Sequence, residues 1–136
     1  MNTKRLKRMT LIILVFASLF ICYSYAIATE YSSTVGTPDT STNYGGTPVN
    51  LPTGSHILHY KVYSFQFHGG LPSNVFPVGK NFKIRFKHTN VETYYTSVDT
   101  SYKRKNYTVQ INGIQPGVKT DYSNGITTFV RWDPDF

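Results

Sequence analysis

The chain has 136 residues, a formal net charge of +7, an aromatic content of 15% and one cysteine. A chain of this length forms one domain once any targeting segment is set aside. One cysteine excludes a disulfide framework and a zinc site built from several thiolates, so a folded domain of this chain depends on its hydrophobic core.

The start of the chain has the three parts of a secretory signal peptide. Residues 1–9 contain four Lys and Arg and no acid, and residues 10–28 are uncharged and largely apolar. Ala26 and Ala28 supply a small-x-small cleavage site. We therefore expect cleavage before Thr29 and a secreted or cell-surface protein. The alternative is an uncleaved N-terminal membrane anchor. A membrane span needs about 20 apolar residues, and residues 10–28 are just long enough for one.

Removal of residues 1–28 changes the charge of the chain. The remaining chain keeps ten of the fourteen Lys and Arg and all seven Asp and Glu, so its net charge is +3. Much of the positive charge therefore belongs to the targeting segment, and net charge alone gives no reason to expect nucleic acid as a partner. Cys22 is removed as well, which excludes a thiol nucleophile.

Residues 29–55 have the composition of a linker. They are rich in Ser, Thr, Gly and Pro, contain no Lys or Arg and show no periodic apolar pattern. Such a segment buries too little apolar surface to offset the entropy lost on ordering, so we expect a flexible spacer. The folded domain is then expected over residues 56–136.

The first strand signal of this domain changes its apolar face part-way along. Leu58 and Val62 share one parity in the sequence, while Phe65 and Phe67 share the other. A β-bulge, or a bend into a second sheet, would produce this switch between the two pairs.

The rest of the domain also alternates between strand and turn signals, without an amphipathic helix. We expect strands over residues 81–88, 91–98, 107–114 and 126–132, and loops over 69–79, 99–106 and 115–125. This pattern predicts an all-β fold, either a small antiparallel β-sandwich or a partly open barrel of about five to seven strands. The run FPVGKNFKIRF, residues 76–86, resembles the opening of bacterial immunoglobulin-like repeats. The resemblance implies an immunoglobulin-like sandwich and no particular function.

The side chains that carry chemistry do not form a recognisable catalytic or metal-binding pattern. His56 and His59 are three positions apart, which places them on opposite faces of a strand, so they cannot chelate one metal ion together. No G-x-S-x-G motif occurs, and most carboxylates lie in turn-like contexts. We expect neither enzymatic activity nor a metal or other cofactor.

The strongest local feature is a concentration of cations in the predicted domain. Lys83, Arg85 and Lys87 alternate with other residues, so they lie about 7 Å apart on one face of their strand. Six of the ten cations outside the signal peptide fall within 23 residues. The candidate binding residues also include three cations of the following turn and one tyrosine expected to be exposed: Lys103, Arg104, Lys105 and Tyr94.

Such a row of cations can follow an anionic cell-wall polymer or a membrane surface. The alternative is that these cations are the solvent side of a sheet and protect an edge strand from aggregation. We therefore expect a small exported bacterial protein that binds an envelope polymer, a glycan or a protein. A secreted bacteriocin-like protein acting on competitor envelopes is the other expectation. The oligomeric state stays open.

Overall fold

The computed structural model describes residues 30–109 and 111–135, together with Thr3, Lys4 and Lys7. The predicted signal peptide, apart from those three residues, and its cleavage site at Ala26, Ala28 and Thr29 lie outside the described residues. Within the described ranges, no helix is long and apolar enough to cross a membrane.

The described residues form eight strands in two antiparallel sheets, which confirms the predicted all-β fold. The strands are β1 Tyr31–Thr37, β2 Asn43–Tyr44, β3 Gly54–Phe67, β4 Phe82–Phe86, β5 Glu92–Tyr95, β6 Lys103–Val109, β7 Pro116–Thr120 and β8 Ile126–Asp133. The first sheet has the order β1-β8-β3-β6, and the second sheet has the order β2-β7-β4-β5. The two sheets pack face to face as a sandwich.

The strand order is that of one long, folded hairpin. The pairs β1·β8, β2·β7, β3·β6 and β4·β5 are nested, and successive pairs alternate between the two sheets. Eight strands in two sheets with this order form a jelly roll. The predicted immunoglobulin-like arrangement is therefore wrong, because a constant-type immunoglobulin sandwich pairs a sheet of four strands with one of three. The predicted count of five to seven strands holds for the predicted domain, which contains the six strands β3 to β8, and the sandwich gains β1 and β2 from the residues before it.

The predicted flexible linker is wrong where it overlaps β1 and β2. β1 pairs with β8 along its whole length, from Tyr31 opposite Trp132 to Thr37 opposite Ile126. The inward positions of β1 include buried Ser33 and Thr37, so the strand lacks the apolar alternation by which strands are recognised. Its order comes from pairing with β8 and from the indole of Trp132, which donates to Ser33 Oγ at 3.2 Å.

β3 contains the bulge that the switch of parity predicted. Its register with β8 shifts between Val62 and Ser64, so Tyr63 is an extra residue, and its side chain is exposed. Val62 and Phe65 are both buried on either side of the bulge. The extra residue explains how apolar residues of opposite parity reach the same core.

The predicted loop over residues 115–125 contains β7. Pro116 opens this strand, a position at which a missing N–H does not break the ladder. The predicted turn over residues 99–106 is likewise wrong at its end, because β6 begins at Lys103. The sequence did not indicate these strands because β7 begins with the turn-forming residues Pro116 and Gly117, and β6 begins with three consecutive cations. Both strands nevertheless have buried, inward-facing side chains.

The predicted strand over residues 107–114 ends early. β6 stops at Val109, and Ile111, inside the predicted strand range, is 59% exposed.

The core is built mainly from aromatic rings that contact one another across the two sheets. The rings of Tyr60 and Phe86 have centroids 4.9 Å apart, and those of Phe86 and Trp132 are 5.5 Å apart. Phe82 and Ile84 are buried beside them. The inward side of β4 and Trp132 of β8 therefore belong to the core.

Candidate functional site

The outer side of the second sheet gathers half of the predicted cations. Phe82, Ile84 and Phe86 of β4 are buried, so Lys83 and Arg85 between them project outward. The neighbouring strands place further side chains beside them in register. We call this surface the second-sheet face and define it by seven residues: Tyr44, Lys83, Arg85, Lys87, Glu92, Tyr94 and Lys119.

Glu92 holds two of these cations in place. It pairs with Arg85 in register, and its carboxylate lies 3.3 Å from Arg85 Nε and 2.8 Å from Lys83 Nζ. The hydrogen bond donated by Lys83 lowers the pKa of Glu92 and raises the pKa of Lys83, so both groups stay ionised over a wider pH range. Glu92 is the one carboxylate among four cations of the second-sheet face, which therefore keeps an excess of positive charge.

Two tyrosine rings flank the cations. Tyr94 is 66% exposed, which confirms the sequence-based expectation, and Lys83 Nζ lies 5.3 Å from the centre of its ring. On the opposite edge, Tyr44 lies across Gly117, and Lys87 Nζ is 5.7 Å from the centre of that ring. A Cβ atom on residue 117 would come within 2.6 Å of two Tyr44 ring atoms. The position of Tyr44 on this face therefore depends on glycine.

A shallow depression of about 480 Å³ opens between the end of this face and the neighbouring loops. Its lining includes Lys83, Lys119, Tyr94, Asn81 and Asp121. Asp121 accepts a hydrogen bond from the backbone N–H of Asn81 at 2.8 Å, which fixes the rim. The depression gives the second-sheet face a concave end where a charged group can contact Lys83 and Lys119.

The other predicted cations do not join the second-sheet face. Lys103, Arg104 and Lys105 lie on β6, at the edge of the first sheet. Lys103 and Lys105 share the parity of buried Tyr107 and Val109, so they occupy inward positions at the end of an edge strand. Charged residues at inward positions of an edge strand disfavour pairing with another chain.

One of these β6 cations forms an ion pair with a nearby carboxylate. Lys103 Nζ lies 2.5 Å from Asp99 Oδ2, and this contact, followed by the hydrogen bonds from Ser101, lowers the pKa of Asp99. The hypothesis of edge protection therefore fits Lys103 better than a binding role does.

Sequence reasoning missed two members of the second-sheet face. Lys119 falls in the predicted loop and Tyr44 in the predicted linker, although both lie on strands that border β4 directly or through β7. The alternation of Val118, Lys119 and Thr120 is a signal that could have found β7. Nothing in the sequence around Tyr44 indicates that its ring covers Gly117.

The histidines of the first sheet have protein partners. His56 Nδ1 is 3.0 Å from Asp135 Oδ1, and His56 Nε2 is 2.8 Å from the carbonyl oxygen of Pro52. His59 stacks on Tyr102, with the ring centroids 4.2 Å apart. Within residues 30–109 and 111–135, no group of three His, Cys, Asp or Glu side chains is arranged to hold a metal ion.

Comparisons with known proteins do not place this chain in a family. No protein-family model and no curated protein matches the sequence. Among solved structures, the chain is similar to the acidic stable capsid structure of Helicobacter pylori bacteriophage KHP30, with 12% identity, a TM-score of 0.32 and coverage of 79% of this chain and 90% of that chain. A similarity at this level carries no information about function.

Proposed function

We propose that this protein is an exported, non-enzymatic binding protein that recognises an anionic polymer of the bacterial envelope through the second-sheet face. The observation that carries the proposal is the placement of four cations and two tyrosine rings around one carboxylate on a single sheet face. The proposed ligand is a polymer or glycan with repeated phosphate groups, and the protein acts at the cell surface or in the medium.

The cations form a grid that suits a repeating anion. Lys83 lies directly opposite Lys119 on the neighbouring strand and two positions from Arg85. Neighbouring strands are about 4.8 Å apart, and alternate residues of one strand are about 7 Å apart. Like charges directly opposite each other destabilise a sheet. Glu92 offsets part of this repulsion through its bridge to Lys83, and a bound phosphate group offsets more of it, which contributes to the binding free energy.

The fold is compatible with this proposal without selecting it. Lectin domains are among the proteins built on the jelly roll, and so are viral capsid proteins. A fold shared by such different proteins does not assign a function, so the proposal depends on the side chains of the second-sheet face.

The proposal is tested by measuring how the full chain binds to immobilised polyphosphate as the NaCl concentration is raised. The variant Lys87→Gln/Lys119→Gln removes two cations that do not contact Glu92, so the Glu92 bridges stay intact. A cation near an anionic surface contributes about 1 kcal/mol. We therefore expect roughly 30-fold weaker binding by the variant and a shallower dependence on salt.

The matched control is Lys103→Gln/Lys105→Gln, which loses the same charge from β6. We expect this control to bind polyphosphate within about threefold of the unchanged chain, because these residues lie outside the second-sheet face. Equal weakening of both variants would mean that binding follows net charge alone and would refute the proposal. Unchanged binding by Lys87→Gln/Lys119→Gln would refute it as well.

A membrane-active antagonist of competing cells is the second candidate. One observation favours it: Val78 is fully exposed, and Val75 of the same loop between β3 and β4 is 41% exposed. Burial of a valine side chain in a bilayer contributes about 1.5–3 kcal/mol. If this candidate is correct, the full chain releases dye from anionic vesicles, and Val78→Ser releases less. No release at micromolar protein would exclude it.

A further inference from the structure

The outer side of the first sheet carries a second group of cations and rings. Lys61 of β3 lies directly opposite Arg131 of β8. Each cation covers a tyrosine: Lys61 Nζ is 4.6 Å from the centre of the Tyr102 ring, and Arg131 Cζ is 4.8 Å from the centre of the Tyr63 ring. We call this surface the first-sheet face and define it by six residues: His59, Lys61, Tyr63, Tyr102, Phe129 and Arg131.

The rings of this face form two small aromatic platforms. The ring of His59 stacks on the ring of Tyr102 with an interplanar angle of 14°. The ring centroids of Tyr63 and Phe129 are 5.9 Å apart. Tyr102 is 42% exposed, and Tyr63 is 36% exposed. Exposed tyrosines combine an apolar ring with a polar hydroxyl, which suits them to contact the amphipathic face of a sugar.

A carboxylate of the chain itself already contacts this face. Glu30 precedes β1, and its Oε1 accepts a hydrogen bond of 3.0 Å from the hydroxyl of Tyr102. Burial and the Glu30 carboxylate raise the pKa of Tyr102, whereas nearby Arg131 lowers it. Glu30 is exposed and lies outside the strand ladder, so the backbone of the sheet does not fix its side chain.

We propose that the first-sheet face is a second binding site, specific for the carboxylate of a uronic acid in an acidic saccharide, and that Glu30 is an internal competitor for it. Lys61 and Arg131 are like charges directly opposite each other, which is unfavourable without an anion. The Glu30 contact shows that a carboxylate can accept a hydrogen bond from the Tyr102 hydroxyl at this face, and the exposed parts of Tyr63 and Tyr102 can contact the sugar. The proposal goes beyond the second-sheet face and does not depend on it.

The probe is tetragalacturonate, titrated calorimetrically into the full chain carrying Lys87→Gln/Lys119→Gln, so that the second-sheet face contributes little. Glu30→Gln removes the competing carboxylate and leaves Lys61 and Arg131 unchanged. If Glu30 occupies the face for 80–90% of the time, its removal strengthens apparent binding about 5- to 10-fold. Lys61→Gln/Arg131→Gln is expected to weaken binding at least about 10-fold, because both charged partners of the carboxylate are lost.

Three controls make the result specific. Asp39→Asn removes an exposed carboxylate from the loop after β1 and should change the affinity less than about twofold, because exposed carboxylates far from the ligand are screened. Maltotetraose, which has no carboxylate, should not bind, and tripolyphosphate should bind more weakly than tetragalacturonate. Circular dichroism establishes that each variant is folded.

Each outcome decides one part of the proposal. An unchanged affinity in Glu30→Gln would refute the role of Glu30 as competitor, and an unchanged affinity in Lys61→Gln/Arg131→Gln would refute the site. Equal binding of maltotetraose or tripolyphosphate would refute the carboxylate assignment. Failure here leaves polyphosphate binding by the second-sheet face intact, because different residues carry the two tests.

Discussion

The two outer faces of the sandwich carry similar chemistry but hold their carboxylates in different ways. On the second-sheet face, Glu92 belongs to β5 and contacts both Lys83 and Arg85. On the first-sheet face, Glu30 lies outside the ladder and contacts the hydroxyl of Tyr102. Glu92, on a paired strand, orients the cations beside it, whereas the backbone of the sheet does not fix the side chain of Glu30 before the first strand. If both proposals hold, the backbone around each carboxylate decides whether it orients the cations of a binding site or competes with the ligand.

The two sheets also differ in how strictly their register is fixed. β4 runs between β5 and β7 without a shift in register. β3 has its bulge at Tyr63, on the edge of the first-sheet face. A regular strand cannot lose a residue without turning its side chains to the other face, whereas a bulged strand can lose its extra residue.

The largest expected effect comes from single-residue deletions. Deletion of Lys83 should prevent folding, because it turns buried residues such as Ile84 and Phe86 towards solvent at a cost of about 1.5–3 kcal/mol each. Deletion of Tyr63 should cost less than about 1 kcal/mol, because the pairs on both sides of the bulge keep their partners. Urea unfolding followed by circular dichroism measures both. Similar losses in the two deletion variants would contradict the difference in register between the sheets.

The next effect concerns the position of Tyr44. Gly117→Ala places a Cβ atom against the Tyr44 ring and should push that ring off the second-sheet face. Losing one aromatic contact should weaken polyphosphate binding by about 1 kcal/mol, roughly fivefold. Tetragalacturonate binding at the first-sheet face should not change. A loss at both faces would indicate that the substitution damages the fold rather than the position of Tyr44.

The next prediction compares one buried tyrosine in each sheet. The expected effects are similar to or smaller than that of Gly117→Ala. The hydroxyl of Tyr107 donates to the carbonyl oxygen of Pro134 at 2.5 Å, so Tyr107→Phe should lower the free energy of unfolding by about 1 kcal/mol. The hydroxyl of Tyr95 is buried and finds no hydrogen-bond partner among the described residues. Tyr95→Phe should therefore be neutral or stabilising by up to about 1 kcal/mol. Urea unfolding at pH 7 measures both substitutions, and a clear loss in Tyr95→Phe would contradict the unpaired hydroxyl.

The smallest effect is the pH dependence of the Glu92 bridges. Because the bonds to Lys83 and Arg85 lower the pKa of Glu92 from its ordinary value of 4.5, the bridges stabilise the fold above that value. The contribution disappears as the pH falls through the lowered pKa. The difference in unfolding free energy between the unchanged chain and Glu92→Gln should thus shrink from pH 7 to pH 2.5. A difference that stays constant would show that the Glu92 charge does not stabilise the fold.

The sequence predicted those parts of the molecule whose inward side chains are apolar. The alternation of Phe82, Ile84 and Phe86 predicted β4 and the outward direction of its cations. The sequence did not predict β1, because its inward positions include Ser33 and Thr37. The packing of these residues depends on β8, which lies far along the chain. Periodicity along one strand identifies its two faces, but it does not identify which strand lies beside it.

The candidate site was predictable to the same extent. The outward direction of Lys83 and Arg85 and the exposure of Tyr94 followed from parity. The neighbours Lys119 and Tyr44 did not, because the strand order that brings them beside β4 is a property of the whole fold. The separation of the β6 cations from β4 has the same cause, since β4 belongs to the second sheet and β6 to the first.

The nested strand order has a consequence for how the protein is made. Tyr31 of β1 pairs with Trp132 of β8, 101 positions later in the chain. The first sheet therefore cannot be completed while β8 is still inside the ribosome, and the nascent chain remains incompletely folded until β8 has emerged. Folds dominated by such distant pairings form slowly, in milliseconds to seconds. A chain whose first sheet closes only when β8 pairs with β1 stays unfolded long enough to be threaded through a secretion channel, if it is exported as proposed.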